Sequence, residues 1–246
     1  MNKLIKKKIL GIEFTDSDLN SILEYIVEKL QKNEKKFYIV TPNPEILIIS
    51  RKDPDCKNVL NHAEIALPDG VGVFFAGRIL GERLKERITG VDFMEMLSER
   101  LSKRPITVGF LGGRDSVADE TAECLRKKYP GLKVSFVSQD PPESLQSIKC
   151  DMLFVAFGSP KQEKWIAQNL ESLSIKAAMG VGGAFDIISG KIPRAPSFIK
   201  KLGLEWFYRL IREPWRIKRQ FRLLQFVLII GQEKLKSSFF AAKTKL

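Results

Sequence analysis

Apolar residues along the chain fall into short unbroken runs, separated by stretches where they recur every three or four positions. Phe37-Tyr38-Ile39-Val40, Ile65-Ala66-Leu67, residues 106–111, 134–137, 152–157 and 177–181 have the length and texture of buried strands. Residues 9–14 form a further short apolar run, followed by Thr15-Asp16 as a helix cap. Leu19, Ile22, Leu23, Ile26, Val27 and Leu30 then keep helical spacing, and residues 116–128 and 161–173 show the same period. Unbroken apolar strands alternating with amphipathic helices predict an α/β fold with a mostly parallel sheet covered on both faces.

Ligands of open parallel sheets bind at the carboxyl ends of the strands, near a topological switch point. The polar and glycine-rich segments 41–45, 68–72, 112–114, 158–162 and 182–186 each follow a predicted strand. They are expected along one edge, which is the predicted active site.

Charge divides the chain. The 246 residues carry a formal net charge of +12, yet residues 1–190 hold 27 Lys and Arg against 26 Asp and Glu. Residues 191–246 hold 14 basic and three acidic residues, so nearly all the excess lies there. The expected organisation is a near-neutral catalytic body, 1–190, and a basic helical appendage, 191–246. The boundary is the rigid turn Ile192-Pro193-Arg194-Ala195-Pro196. Arg209, Arg212, Arg216 and Arg219 are spaced 3, 4 and 3, which places them on one helical face, with Arg222 beyond. Pro214 interrupts or kinks that helix. Trp206, Phe207, Tyr208 and the apolar residues of 221–230 lie beside the arginines. An arginine row next to aromatic and aliphatic residues has the texture of an element lying in a membrane interface and seeking phosphates. The plainer alternative for the row is a solvated helix face.

Other features narrow the chemistry. A single histidine, His62, excludes a zinc site built on paired histidines and is taken as structural. Cys56, Cys124 and Cys150 form no CxxC pair, so a disulfide scaffold or thiolate metal site is not supported and the reducing cytosol is expected. No signal-peptide pattern follows the basic N-terminus, and the longest apolar passage, 223–230, is far shorter than the ~20 residues of a membrane span. Asp53-Pro54-Asp55 spells the D-x-D of metal-dependent sugar transferases, but it lies between two helical patterns and Asp-Pro commonly starts a helix.

Ordered motifs run through most of the chain: Thr41-Pro42-Asn43, Leu67-Pro68-Asp69-Gly70-Val71-Gly72, Arg87-Ile88-Thr89-Gly90-Val91-Asp92, Phe110-Leu111-Gly112-Gly113, Phe157-Gly158-Ser159-Pro160-Lys161-Gln162-Glu163, Gly180-Val181-Gly182-Gly183-Ala184-Phe185-Asp186, Gly190-Lys191, Arg194-Ala195-Pro196, and Gly203-Leu204-Glu205-Trp206-Phe207-Tyr208-Arg209-Leu210 with Glu213-Pro214. Each is weak alone. Together they resemble the WecG/TagA/CpsF family of bacterial glycosyltransferases. The resemblance implies a Rossmann-like domain with a C-terminal appendage that completes the site at the membrane. It implies inverting, metal-independent transfer of an N-acetylmannosamine-type sugar from a UDP-sugar to polyprenyl-diphosphate-linked N-acetylglucosamine. One branch of the family makes the linkage unit of wall teichoic acid, and others use a uronic acid donor or build other surface polysaccharides. The expected location is peripheral, on the cytoplasmic face of the membrane; a homo-oligomer is left open.

On this sequence Asp69 matches the family's proposed base; its alternative is an N-cap for a helix starting near Gly70. Thr41 and Asn43 are candidate sugar or donor contacts, or ordinary strand-end residues. Gln162 is a candidate sugar contact, with Lys161 and Glu163 as surface residues of a first helical turn. Arg87, Arg209, Arg212, Arg216, Arg219 and Arg222 are candidates for the UDP or lipid diphosphate. Gly112, Gly113, Gly158, Gly182 and Gly183 would let nucleotide phosphates approach the backbone, or serve tight turns. Asp186 would contact the nucleotide or cap a helix. Two other classes remain. A nucleic-acid-binding protein would show steep salt-dependent binding to oligonucleotides, though the body is neutral and carries no such motif. A Rossmann oxidoreductase would bind NAD, though Phe185 stands where the fingerprint needs its last glycine.

Overall fold

The computed structural model describes residues 4–32, 34–213 and 217–243. Six parallel strands form the central sheet: β3 (Phe37–Val40), β4 (Ile65–Ala66), β5 (Thr107–Gly112), β6 (Lys133–Ser138), β7 (Met152–Ala156) and β8 (Ala177–Gly180), in the order β4-β3-β8-β7-β5-β6. All pairings are parallel, so every strand ends at the same edge of the sheet.

Alternation along the strands separates two cores. Phe37, Ile39, Val108, Phe110, Met152 and Phe154 point to one face, covered by α1 (Leu19–Gln31), α5 (Gly90–Ser102), α6 (Val117–Lys128) and α8 (Ala184–Ile188). Tyr38, Val40, Leu111, Leu153 and Val155 point to the other. There they meet α2 (Pro44–Lys52), α3 (Pro54–His62), α4 (Val71–Leu80) and α7 (Lys161–Asn169).

Two expectations for the N-terminal part are corrected. Residues 9–14 are not one run but the middle of a hairpin, β1 (Lys6–Ile9) paired antiparallel with β2 (Ile12–Thr15). Its two turn residues, Leu10 and Gly11, have φ of 50° and 82°. Positive φ at both positions is the turn that matches strand twist, which the apolar pattern does not reveal. The cap of α1 is Asp18, whose carboxylate accepts from Ser21 N at 2.9 Å, not Thr15-Asp16. Thr15 Oγ1 instead accepts from Ala66 N and ties the hairpin beside edge strand β4. Asp53 is a cap, accepting from Cys56 N and pairing with Lys164 at 2.6 Å. His62, exposed at the end of α3, has its Nδ1 2.9 Å from Asn58 O of its own helix.

After the turn at 192–196, α9 (Ser197–Lys201) and α10 (Glu205–Arg212) sit at the active-site edge, and α11 (Ile217–Lys243) runs away along α2 and α4. The arginine row is therefore split between two helices. Pro214 and Arg216 lie outside the described residues; Arg219 is in α11, but its side chain is not described. Phe226 and Ile230 of α11 belong to the second core, each 3% exposed. Phe226→Ala is expected to cost about 3 kcal/mol in urea unfolding, the range of buried Phe truncations. Phe221, Leu224, Val227 and Leu228 on the same helix stay exposed, as do Phe198, Leu202, Trp206, Phe207 and Ile211 of the preceding segment. Among the described residues, no helix is long and apolar enough to cross a membrane.

Candidate active site

The parallel sheet brings the five strand-end segments to one edge, as their positions predict. The neighbouring strands β4, β3 and β8 carry Asp69, Thr41 and Gly182-Gly183 respectively.

Asp69 does not cap α4. The N-cap of that helix is Gly70, which has no side chain, and no side-chain bond closes it. The Asp69 backbone is fixed by its N–H donating to Pro42 O at 3.1 Å. Its Oδ1 accepts from Gly90 N, the first N–H of α5, at 3.3 Å. Burial pushes its pKa up from 3.8 to about 6. The Gly90 N–H, Arg209 and Arg87 pull it down, and Glu205 pushes it up. A carboxylate poised near the working pH suits a general base. Thr41 lies beside the same helix start: a Cβ on Gly90 would come 3.4 Å from Thr41 Oγ1.

Arg209 enters from α10. Its Nη2 lies 2.9 Å from where a Cβ on Gly183 would stand, and Asp186 Oδ2 lies 3.5 Å from the same point. Any side chain at 183 would displace the guanidinium, so Gly183 serves the arginine. Glu213, buried, holds the other side of Arg209 at 3.7 Å. Arg87 Nη2 donates to Lys200 O at 2.7 Å, fastening α9 beside the site. Asp69, Thr41, Gly183, Asp186, Arg87 and Arg209 are thus gathered by the fold.

Other candidates are engaged elsewhere. Gln162 is 2% exposed. Its Oε1 accepts from Gly158 N at 3.1 Å and Gly182 N at 3.0 Å, and its Nε2 donates to Glu163 at 2.9 Å. It braces the β7 and β8 loops and consumes the N–H groups of Gly158 and Gly182. Glu163 is not a surface residue: it is 1% exposed, accepts from Ser159 and Gln162, and burial raises its pKa. Lys161 is exposed, with its ammonium over the Phe157 ring. Asn43 Oδ1 caps α2 by accepting from Glu45 N and Ile46 N. A Cβ on Gly112 would lie 2.8 Å from the Ala156 backbone, so its glycine permits strand packing, and Gly113 N donates to Ala156 O. Arg212 stacks on Tyr208 at 5.6 Å, and Arg222 pairs with Glu45. No group of three or more His, Cys, Asp or Glu that would hold a metal occurs among the described residues.

Gly90, Glu205 and Glu213 also contribute to the site, in roles that the sequence motifs do not mark. Glu205 and Glu213 are two of only three acids in the basic segment. An acid set among 14 basic residues has cationic partners within reach, and that is the signal the sequence carries.

The model of the Glycosyl transferase WecG/TagA/CpsF family matches residues 7–239. Over 246 residues, 96% of each chain, the protein is 35% identical to an N-acetylglucosaminyldiphosphoundecaprenol N-acetyl-beta-D-mannosaminyltransferase of Bacillus subtilis (strain 168). A protein of the same name from Bacillus spizizenii (strain ATCC 23059 / NRRL B-14472 / W23) is 34% identical over 91% of this chain and 90% of its own. One from Staphylococcus aureus (strain MRSA252) is 28% identical over 94% of each chain. With a family match over residues 7–239 and a relative 35% identical across 96% of both chains, the chain belongs to the WecG/TagA/CpsF glycosyltransferases.

Proposed function

We propose that the protein transfers an N-acetylmannosamine-type sugar from a UDP-sugar to N-acetylglucosamine on a polyprenyl diphosphate, by a single inverting displacement. The acceptor and the sugar follow the names of the relatives. Those names specify a beta product. Nucleotide sugars of this kind are alpha-linked, so a beta product requires inversion, which uses a general base and no enzyme nucleophile. The observation that carries the reading is Asp69: a partly buried carboxylate, bound by one weak N–H, beside Thr41 and within the field of Arg209 and Arg87.

Asp69 takes the proton of the acceptor hydroxyl as that oxygen attacks the anomeric carbon, and UDP leaves. Arg209 stabilises the charge growing on the diphosphate, a role in which fixed donors are most effective in the transition state. The reaction as proposed uses no metal. The acceptor's lipid places the reaction at a membrane surface. The exposed apolar residues of α9, α10 and α11, together with the basic charge of 191–246, give the appendage the means to lie on the cytoplasmic face. Synthesis of wall teichoic acid or a related surface polysaccharide is the setting that fits.

A UDP-release assay tests the reading. UDP-N-acetylmannosamine, its uronic acid and UDP-glucose are offered with a short-chain lipid-diphosphate N-acetylglucosamine. Release is expected with an N-acetylmannosamine-type donor, to depend on the lipid acceptor, and to persist in EDTA. Loss of turnover in EDTA would refute the metal-free displacement.

A further inference from the structure

Arg194 lies outside the residues that face the proposed chemistry, yet it is built into the fold. It belongs to the turn between body and appendage and is only partly exposed. Its Nη2 donates to Asp92 Oδ1, and its Nη1 donates to Glu95 Oε2 at 3.4 Å. Both acceptors lie in the first two turns of α5. Asp92 is also one half of a reciprocal cap: Thr89 Oγ1 donates to its Oδ2 at 2.6 Å, and its own N–H donates to Thr89 Oγ1 at 3.2 Å. That capped turn presents Gly90 N to Asp69.

The appendage thus meets α5 at the turn that touches the carboxylate. Upstream, Ile192 N donates to Asp186 O at 2.9 Å and pins the start of the turn. Downstream, α9 is fastened through Lys200 O to Arg87. Between those points Arg194 ties the turn to α5. Further along the same appendage, a Cβ on Gly203 would come 3.0 Å from both Arg87 Nη1 and Val71 Cγ2, at the first residue of α4. This close approach brings Glu205 and Arg209 of α10 to the site, where their charges act on Asp69.

We infer that Arg194 is a positioning residue: by latching the appendage to the capped first turn of α5, it holds α10, with Glu205 and Arg209, over Asp69. This rests on the reading of Asp69 as the base. The groups facing Asp69 are the Gly90 N–H of α5, Arg87 ahead of α5, and Glu205 and Arg209 of α10. Releasing α10 admits water to Asp69 and removes both of its charges. Because burial is the largest cause of the raised value, the net result is a fall toward the ordinary carboxylate value.

The experiment is a carbon-13 NMR titration of the Asp69 carboxyl in the full-length wild type, Arg194→Ala, Arg194→Lys and Glu95→Gln, alongside pH profiles of kcat/KM. The expected result is a midpoint near 6 in the wild type, lowered by at least about one unit in Arg194→Ala. Smaller drops are expected in Arg194→Lys, which keeps one charge contact, and in Glu95→Gln, which keeps the Asp92 contact. kcat/KM is expected to fall at least tenfold in Arg194→Ala. A lowered melting temperature with an unmoved midpoint in all the variants would overturn the inference and leave Arg194 merely structural. Should Arg194→Ala not fold, Arg194→Lys and Glu95→Gln decide it in the same way. A shifted midpoint without any acid limb in the wild-type kinetics would uphold the latch while refuting Asp69 as base.

Discussion

Asp69→Asn is expected to lower kcat by about 10²–10⁴-fold, the usual contribution of a positioned general base. The same substitution is expected to make the protein more stable, and the sign follows from the raised pKa. Asp69 titrates near 6 in the folded protein and near 3.8 when unfolded. Well below pH 3.8 it is neutral in both states and has no effect. Between 3.8 and about 6 the unfolded chain ionises Asp69 in water while the folded protein keeps it protonated, so the wild type loses stability across that window and the loss levels off above it. The shift corresponds to at most about 3 kcal/mol, and water reaching the carboxylate brings it to about 1–3. Thermal melts should therefore show Asp69→Asn gaining on the wild type between about pH 4 and pH 6 and keeping that lead at pH 8, while turnover is lost. In the wild type, kcat/KM should fall below about pH 6, as the base becomes protonated. Equal melting temperatures at pH 8 would contradict the burial of Asp69, and retained turnover would remove it as the base.

Arg209→Ala carries the second large effect. A donor aimed at the departing diphosphate is worth on the order of 10²–10³-fold in kcat. The loss should fall on kcat more than on KM, because the diphosphate, already anionic in the bound donor, gains a further negative charge as the bond to UDP breaks. Arg209→Lys should recover a minor part, since an ammonium cannot reproduce a guanidinium held between Glu213 and the Gly183 turn. Arg212→Ala is the control: its guanidinium stacks on Tyr208 at the exposed end of α10, and its removal should change kcat far less. Equal losses at 209 and 212 would point to general attraction of anions by the basic segment.

Most of the sheet was legible because a strand buried on both faces leaves an unbroken apolar run, as at 37–40 and 152–156. The active-site edge followed from parallel pairing alone. What escaped was conformational or relational. The hairpin turn at Leu10-Gly11 depends on backbone angles that polarity does not encode. That Asp69 does not cap α4 shows only in the folded chain, where its carboxylate meets Gly90 N across 21 positions of sequence. Gln162 has the composition of a sugar contact, yet its amide ties two loops that meet only in the folded sheet. The arginines at 209, 212 and 222 share a charge pattern, but one enters the site, one stacks outward and one pairs with Glu45. Glycines were the least specific sign: Gly183 makes room for Arg209, whereas Gly112 makes room only for Ala156.

Product stereochemistry tests the central claim most directly. The protein is incubated with UDP-N-acetylmannosamine and a short-chain lipid-diphosphate N-acetylglucosamine, and the new anomeric centre is read by NMR. The account predicts a single beta-linked disaccharide on the lipid, with one UDP released per bond formed. An alpha linkage, or UDP released without a lipid-linked disaccharide, would contradict it.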